Sequence, residues 1–249
     1  MILKGDYHTH TIFSHGTGTI EDNVKVAVKK GLSQIAITDH GFNHKLYGIN
    51  RVDVPVMRKQ VEQLKRDYPI DILLGIETNL ISENGTIDIF KEEEKLFDVI
   101  IMGYHKIIKA QSFSDRMTFF ARNDFRKILS SKWVIQKNTD AYLRAIDLYN
   151  IDILAHLNYG MPVDAVQIAK LANQKGTYIE LNGKRTLFTR DEIEKMVDMK
   201  TKFIMDSDAH APEKVGEVNH PMNIAIQNQI PKELIVNIDN IPKFKNYKG

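Results

Sequence analysis

The sequence predicts an α/β fold of parallel strands, because short apolar segments alternate with longer amphipathic ones from end to end. Seven strand–helix units in a single chain require right-handed crossovers, and hence a barrel or an open doubly wound sheet. At 249 residues the chain can bury a full core, and barrels of this size commonly form one domain. No repeat, low-complexity stretch or Pro/Gly-rich linker marks a boundary, so residues 1–249 read as a single domain.

Runs rich in β-branched and aliphatic residues place the strands at Ile2–His8, Gln34–Asp39, Asp71–Glu77, Asp98–Gly103, Asp152–His156, Thr177–Asn182 and Lys202–Ser207. Helical periodicity fills the gaps. Ile20–Lys30 starts after Thr19, a candidate N-cap, and stops at Gly31. Asp53–Tyr68, Asp140–Tyr149, Val163–Lys175 and Arg190–Met199 follow, with Asp164 and Thr189 positioned as caps. A longer excursion, about residues 106–137, interrupts this rhythm after the fourth strand. It carries Lys106, Lys109, Arg116, Arg122, Arg126, Lys127, Lys132 and Lys137 against Asp115 and Asp124. Such a charge run is either a solvated face or, since it follows a strand's C-terminal end, a source of positive charge for an anionic substrate. Its aromatics, Phe113, Phe119, Phe120, Phe125 and Trp133, suggest that it folds onto the body of the protein.

Composition narrows the function. A net charge of +2 gives no support for binding nucleic acid, which usually needs a strongly basic face. Cysteine is absent, which excludes disulfides and thiolate ligands and fits a reducing cytoplasm. No apolar run approaches the roughly 18 residues of a membrane span, and Met1–His10 lacks the apolar stretch of a signal peptide. The expectation is a cytoplasmic protein without membrane contact.

The most informative pattern is the position of histidine and carboxylate. Of nine histidines, His8, His10, His15, His40, His105, His156 and His210 fall at or just beyond the C-terminal ends of the expected strands, together with Glu77 and Asp208. Parallel-strand folds bring those ends into one mouth. His8 and His10 are two apart, so both point to one side and can hold one ion; Asp208 and His210 repeat the spacing. A charged or imidazole group closing an apolar run is costly unless something pairs it, and a metal ion would do so. Imidazole and carboxylate without thiolate suit zinc, manganese or iron. Each position alone has a plainer reading, a satisfied polar residue, an ion pair or a cap, but nine separate buried partners would then be needed. His44 and His220 lie in loops outside the pattern and receive no role.

His8-Thr9-His10, Thr38-Asp39-His40, Gly75-Ile76-Glu77, Gly103-Tyr104-His105, Ala155-His156 and Ser207-Asp208-Ala209-His210 together resemble the PHP (polymerase and histidinol phosphatase) family, in the family's order and over about residues 4–216. The resemblance implies a distorted (β/α)7 TIM-like barrel with a metal cluster at the C-terminal ends of the strands. Ser14-His15-Gly16 looks like the stand-alone trinuclear phosphoesterases, such as YcdX-type proteins and histidinol phosphatases, where members with polymerase or exonuclease roles often have Asp. Carried over by motif, three divalent metal ions are expected. One takes His8, His10, Glu77 and Asp208; a second shares Glu77 and adds His105 and His156; a third takes His15, His40 and His210.

The expected activity is hydrolysis of a small anionic phosphorylated substrate by a metal-bridging hydroxide, with no nucleophilic side chain. Asp208 or His210 beside the cluster would relay a proton. Arg185, whose planar fork matches phosphate, and Lys184 follow the sixth strand as candidate substrate-binding residues, although a solvated loop pair reads as well for either. Three alternatives stay open: a histidinol-phosphatase proper, a 3'-5' exonuclease or phosphodiesterase using the same cluster, and an amidohydrolase-type C–N hydrolase. A non-catalytic metal-binding domain would be expected to have lost ligands, and none is lost. Oligomeric state has no signature in the sequence.

Overall fold

The computed structural model describes residues 1–124 and 132–247. Phe125, Arg126 and Lys127 of the basic excursion lie outside the described residues. Seven strands pair in sequence order, all parallel: β1 (Gly5–Asp6), β2 (Gln34–Ile37), β3 (Asp71–Asn79), β4 (Val99–Gly103), β5 (Ile153–Leu154), β6 (Tyr178–Asn182) and β7 (Phe203–Asp206). A parallel bridge between Thr9 and Ala209 brings the last strand back to the first. The result is a nearly closed, distorted (β/α)7 barrel.

The distortion has a local cause at the β7–β1 seam. There the C-terminal chain wedges in: Asn237 accepts from Met205 N at 3.0 Å and donates to Gly5 O at 3.0 Å, while Lys4 N donates to Asn237 O at 2.9 Å. Higher up, carboxylates replace ladder carbonyls. Asp206 Oδ1 accepts from Tyr7 N at 2.7 Å, and Asp6 Oδ1 accepts from Ser207 N at 3.0 Å. This is why the strand expected over Ile2–His8 is reduced to Gly5–Asp6: its other groups bond to the inserted segment and to side chains.

Alternation along the strands separates the barrel into two ends. Ala36, Leu73, Val99, Ile101, Ile153, Ala155 and Ile204 form an interior cluster with Tyr7. Continuing the same period toward the C-terminal ends gives His40, Glu77, Gly103, Glu180 and Asp208, so apolar filling gives way to polar groups. Phe244 plugs the other end, its ring 4.8 Å from that of Tyr7 in an edge contact.

Outside the barrel lie α1 (Ile20–Lys29), α2 (Asp53–Asp67), α3 (Lys132–Leu148), α4 (Ala165–Lys175), α5 (Arg190–Asp198) and α6 (Asn219–Gln227). Thr19 caps α1 and Thr189 caps α5, each in a reciprocal box with the residue at the third helical position, and Asp164 caps α4. Two helices depart from expectation. α3 begins at Lys132 rather than Asp140, because Val134, Asn138 and Thr139 are already buried and extend its inner face. α6 was not foreseen; His220 lies exposed on it, not in a loop. The excursion after β4 coils through Phe113–Asp115, a π-helical turn Arg116–Phe120 and Ala121–Asp124. Phe119 and Phe120 anchor it against Tyr104, at centroid distances of 5.9 and 5.8 Å. Phe113 and Trp133 instead remain exposed, contrary to the expectation that these aromatics pack inward. No helix among the described residues is long and apolar enough to cross a membrane.

Candidate metal centre

The nine candidate side chains meet at the polar end of the barrel. His8 and His10 follow β1, His40 bridges to Glu77 in parallel, His105 and His156 lie two residues beyond β4 and β5, and Asp208 and His210 follow β7. His156 and Asp208 adopt left-handed backbone, with φ of 32° and 52°. L-residues rarely tolerate that conformation, and strain of this kind collects at functional sites. The loop carrying His15 is tied down by Asp39, which accepts from Thr11 N at 2.7 Å, Thr11 Oγ1 at 2.6 Å and Ser14 Oγ at 2.5 Å.

Glu77 is the hub. Its Oε1 lies 2.8 Å from His156 Nε2 and 3.4 Å from both His8 Nε2 and His105 Nε2; its Oε2 lies 2.6 Å from His40 Nδ1 and 3.7 Å from His10 Nε2. Asp208 Oδ1 is 3.5 Å from His10 Nε2 and 3.3 Å from His210 Nδ1. Three trios present atoms within 4.8 Å of one another: His8, His10 and Glu77; His40, Glu77 and His105; His10, His40 and His210. Grouping by motif puts His15 with His40 and His210, whereas His10 completes that trio here. The His15 ring stands beside it, 4.1 Å from that of His210.

These residues fit divalent cations. His8 Nε2, both nitrogens of His10, His15 Nδ1, His40 Nδ1 and Glu77 Oε2 are buried and make no well-directed hydrogen bond among the described residues, the last two despite lying 2.6 Å apart. Buried polar atoms are rarely left so, and those that converge in the trios around Glu77 and His10 call for cations between them. The Lys184 ammonium touches the edge of the same cluster, 3.0 Å from Asp208 Oδ1 and 2.6 Å from His210 Nδ1.

A second layer orients the ligands. Glu180 Oε1 is 2.7 Å from His8 Nδ1, and its Oε2 accepts from His156 N at 2.7 Å. Asn79 Oδ1 is 2.7 Å from His105 Nδ1, and Asp88 accepts from Asn79 Nδ2 at 2.5 Å. Pairing the far ring nitrogen in this way leaves Nε2 of each histidine free for a metal. Gly103 makes room: a Cβ there would stand 2.7 Å from His156 Cε1 and 3.2 Å from Glu77 Oε1.

The electrostatics follow from this crowding. Burial opposes ionisation of Glu77, yet the imidazoles of His105, His8 and His40 hold its carboxyl well below the usual range. Asp208 behaves likewise, with His8 the leading counter-effect. Burial, reinforced by neighbouring imidazoles, lowers His10 and His15, the latter to about 3, and leaves them neutral as metal ligands must be. For His8 burial is outweighed by Glu77, Glu180 and Asp208, which raise it well above its ordinary value. The field that favours a proton on His8 also favours a bound cation.

Above the cluster lies a cleft of about 280 Å³. Lys184 and Arg185 both line it, as do His15, His40, Glu77, His105, His156, Asp208 and His210. Arg185 stacks on Tyr159, its guanidinium carbon 4.0 Å from the ring centroid. His44, Tyr47 and Tyr159 also line the cleft; the sequence places the Asn43–Asp53 loop at the mouth as a site of substrate choice but gives His44 and Tyr47 no role of their own, and it misses Tyr159. His44 lies flat on His40, with centroids 5.0 Å apart, and Tyr47 N donates to its Nδ1 at 3.1 Å. His44-x-x-Tyr47 just beyond a strand-end histidine was the available signal. It carried no spacing that marked it out.

Residues 6–184 match the family model described as PHP domain. A "Probable phosphatase" of Thermoanaerobacter sp. strain X514 is 29% identical over 261 residues, covering 99% of this chain and 95% of the relative. Another of that name, from Caldanaerobacter subterraneus subsp. tengcongensis, is 29% identical over 257 residues, covering 97% and 89%. The solved histidinol phosphate phosphatase of Lactococcus lactis subsp. lactis, complexed with zinc, L-histidinol and phosphate, superposes with a TM-score of 0.58 at 17% identity, covering 91% of this chain and 94% of that one. At that identity the likeness concerns the fold.

Proposed function

The chain belongs to the PHP domain family, and from that premise we propose that this metal-dependent phosphoesterase is a phosphomonoesterase working through three divalent ions, zinc, manganese or iron. The observation that carries this reading is Glu77, buried among imidazole nitrogens of His8, His40, His105 and His156 at 2.6–3.4 Å, two of which, His8 Nε2 and His40 Nδ1, make no well-directed hydrogen bond among the described residues. His8, His10, Glu77, Asp208, His105, His156, His15, His40 and His210 would hold the ions. Such ions bring bound water toward neutral pKa and balance charge on phosphoryl oxygens, which supplies the nucleophile.

The protein's own groups do the rest. Arg185 and Lys184 at the rim bind the phosphate oxygens, Arg185 through its planar fork and with its orientation fixed by Tyr159. Asp208 or His210, 3.3 Å apart beside the cluster, would relay the proton of the attacking water. The small volume of the cleft suits a compact monoester. The lack of cysteine fits work in the cytoplasm.

Manganese- or zinc-supplemented protein is expected to release phosphate from small monoesters and to leave a short single-stranded oligonucleotide intact. Cleavage of the oligonucleotide with silence on every monoester would replace this reading by a phosphodiesterase.

A further inference from the structure

The cleft over the cluster adjoins a second cavity of about 350 Å³, and His44, His105 and Tyr159 line both. Tyr104, Ile107 and Lys106 complete most of its wall. We propose that this cavity receives the leaving group of the phosphomonoester and selects a flat ring bearing a negative substituent. The ring would lie against His44 and Tyr159, and the anion would meet Lys106. The proposal rests on the phosphomonoesterase reading and names the substrate class for it.

Shape and connection come first. A phosphoryl group held by the cluster, Lys184 and Arg185 leaves its ester oxygen facing the neighbouring space, and His105 forms the shared boundary. His44 and Tyr159 line this space with aromatic rings, and a flat partner can pack on such rings face to face or edge on. Tyr159 is already held in place by the Arg185 guanidinium at 4.0 Å, and His44 by stacking on His40 at 5.0 Å. Preorganised walls of this kind recognise a ring at low entropic cost.

Charge sets the substituent. Glu77 and Asp208 are the carboxylates among the described residues lining the two cavities; Glu77 is surrounded by imidazoles, and Asp208 faces imidazoles and Lys184. None is left to receive an ammonium group. Lys106, exposed at the rim, has no carboxylate partner among the described residues. Its stem passes near Gly160, where an added Cβ would lie 4.0 Å from Lys106 Cε. A cation without a partner, beside two aromatic faces and next to the cluster, complements an anionic aromatic alcohol and repels an amino alcohol.

The test compares three aryl monoesters on the metal-loaded protein: phenyl phosphate, 4-carboxyphenyl phosphate and 4-(aminomethyl)phenyl phosphate. The expected order of kcat/KM places the carboxylate above the ammonium by about fivefold or more, the size of a partly exposed charge pair on each side. Lys106→Glu should reverse that order, and Lys106→Arg should restore it. Phosphate release without a preference between the two charged esters, or a preference that survives Lys106→Glu, overturns the proposed pocket while leaving the phosphomonoesterase reading intact. No release from any of the three, with release from glycerol phosphate, overturns the pocket alone; silence on glycerol phosphate as well overturns the phosphomonoesterase reading and the pocket with it.

Discussion

Glu180 Oε1 stands 2.7 Å from His8 Nδ1 in a fully buried pair. The same carboxylate accepts from the His156 backbone at 2.7 Å and from Asn182 Nδ2 at 3.0 Å. One group outside the candidate ligands therefore sets the orientation of two of them. Replacing it by Gln would offer His8 Nδ1 an amide donor in place of an acceptor, moving the ring proton toward Nε2. Glu180→Gln is expected to weaken metal binding about 10–100-fold. Metal retained against a graded chelator checks this, with circular dichroism to show that the fold persists; unchanged retention would remove Glu180 from the account.

Gly103→Ala tests the packing of the cluster without touching a ligand. Its Cβ would press on His156 Cε1 at 2.7 Å, and neither the ring nor Glu77 behind it can retreat far. A displacement approaching 1 Å at a reacting centre costs on the order of 100-fold in rate. Activity should fall by about that factor while far-ultraviolet dichroism is unchanged. Full activity in the variant would mean that His156 and Glu77 need not keep this geometry.

Arg185→Ala should raise KM for phosphate monoesters about tenfold or more, the loss of a charge-assisted contact, with bound metal unchanged. Steady-state kinetics and metal analysis on one preparation decide it. An unchanged KM would return Arg185 to the solvated-loop reading.

The far end of the barrel offers a stability test. Phe244 is 5% exposed and fills the interior beneath Tyr7. Phe244→Ala should cost about 3–5 kcal/mol in denaturant unfolding, as buried aromatic truncations do. Because the plug lies opposite the cluster, KM should hardly move. A loss below 1 kcal/mol would mean that the tail is not part of the core.

Asp152 lies near that plug. Its oxygens accept from Ile100 N at 2.9 Å and Lys245 N at 2.8 Å, yet burial pushes the carboxyl up to about 6. A raised pKa means that the folded state holds the proton more tightly than the unfolded chain. The stabilisation is complete below the unfolded value near 4 and is lost as pH rises through about 6, roughly 3 kcal/mol in all. Carbon-13 titration of this carboxyl should give a midpoint near 6, and Asp152→Asn should flatten stability between pH 4 and 6. A midpoint near 4 would contradict it.

What could be read in advance follows from physical range. The nine candidate ligands were legible because each lies at the end of an apolar run or in the loop that follows it, and parallel strands gather such ends in one mouth. β2 through β7 were legible for the same reason, as was each box or cap at Thr19, Asp164 and Thr189. Features set by distant contacts were not. The seam wedge of Asn237 and the Phe244 plug depend on contacts across more than two hundred residues and leave no local period. Glu180 looked like one more strand-end residue, since its role depends on His8 lying across the barrel. The Asn43–Asp53 loop could be placed at the mouth from its position after a strand end, but the stacking of His44 on His40 could not, because no spacing rule encodes it. α3 was read short because its first two turns carry polar residues that prove to be buried, among them Asn138, paired with Asn123 at 2.8 Å.

The central claim is that metal held around Glu77 hydrolyses phosphate monoesters, and phosphate release by wild-type and Glu77→Ala protein, with and without chelator, tests it most directly. The account predicts release by the metal-loaded wild type, abolished by chelation, restored by manganese or zinc, and absent from Glu77→Ala under all conditions. Release that survives both chelation and the loss of Glu77 would contradict it.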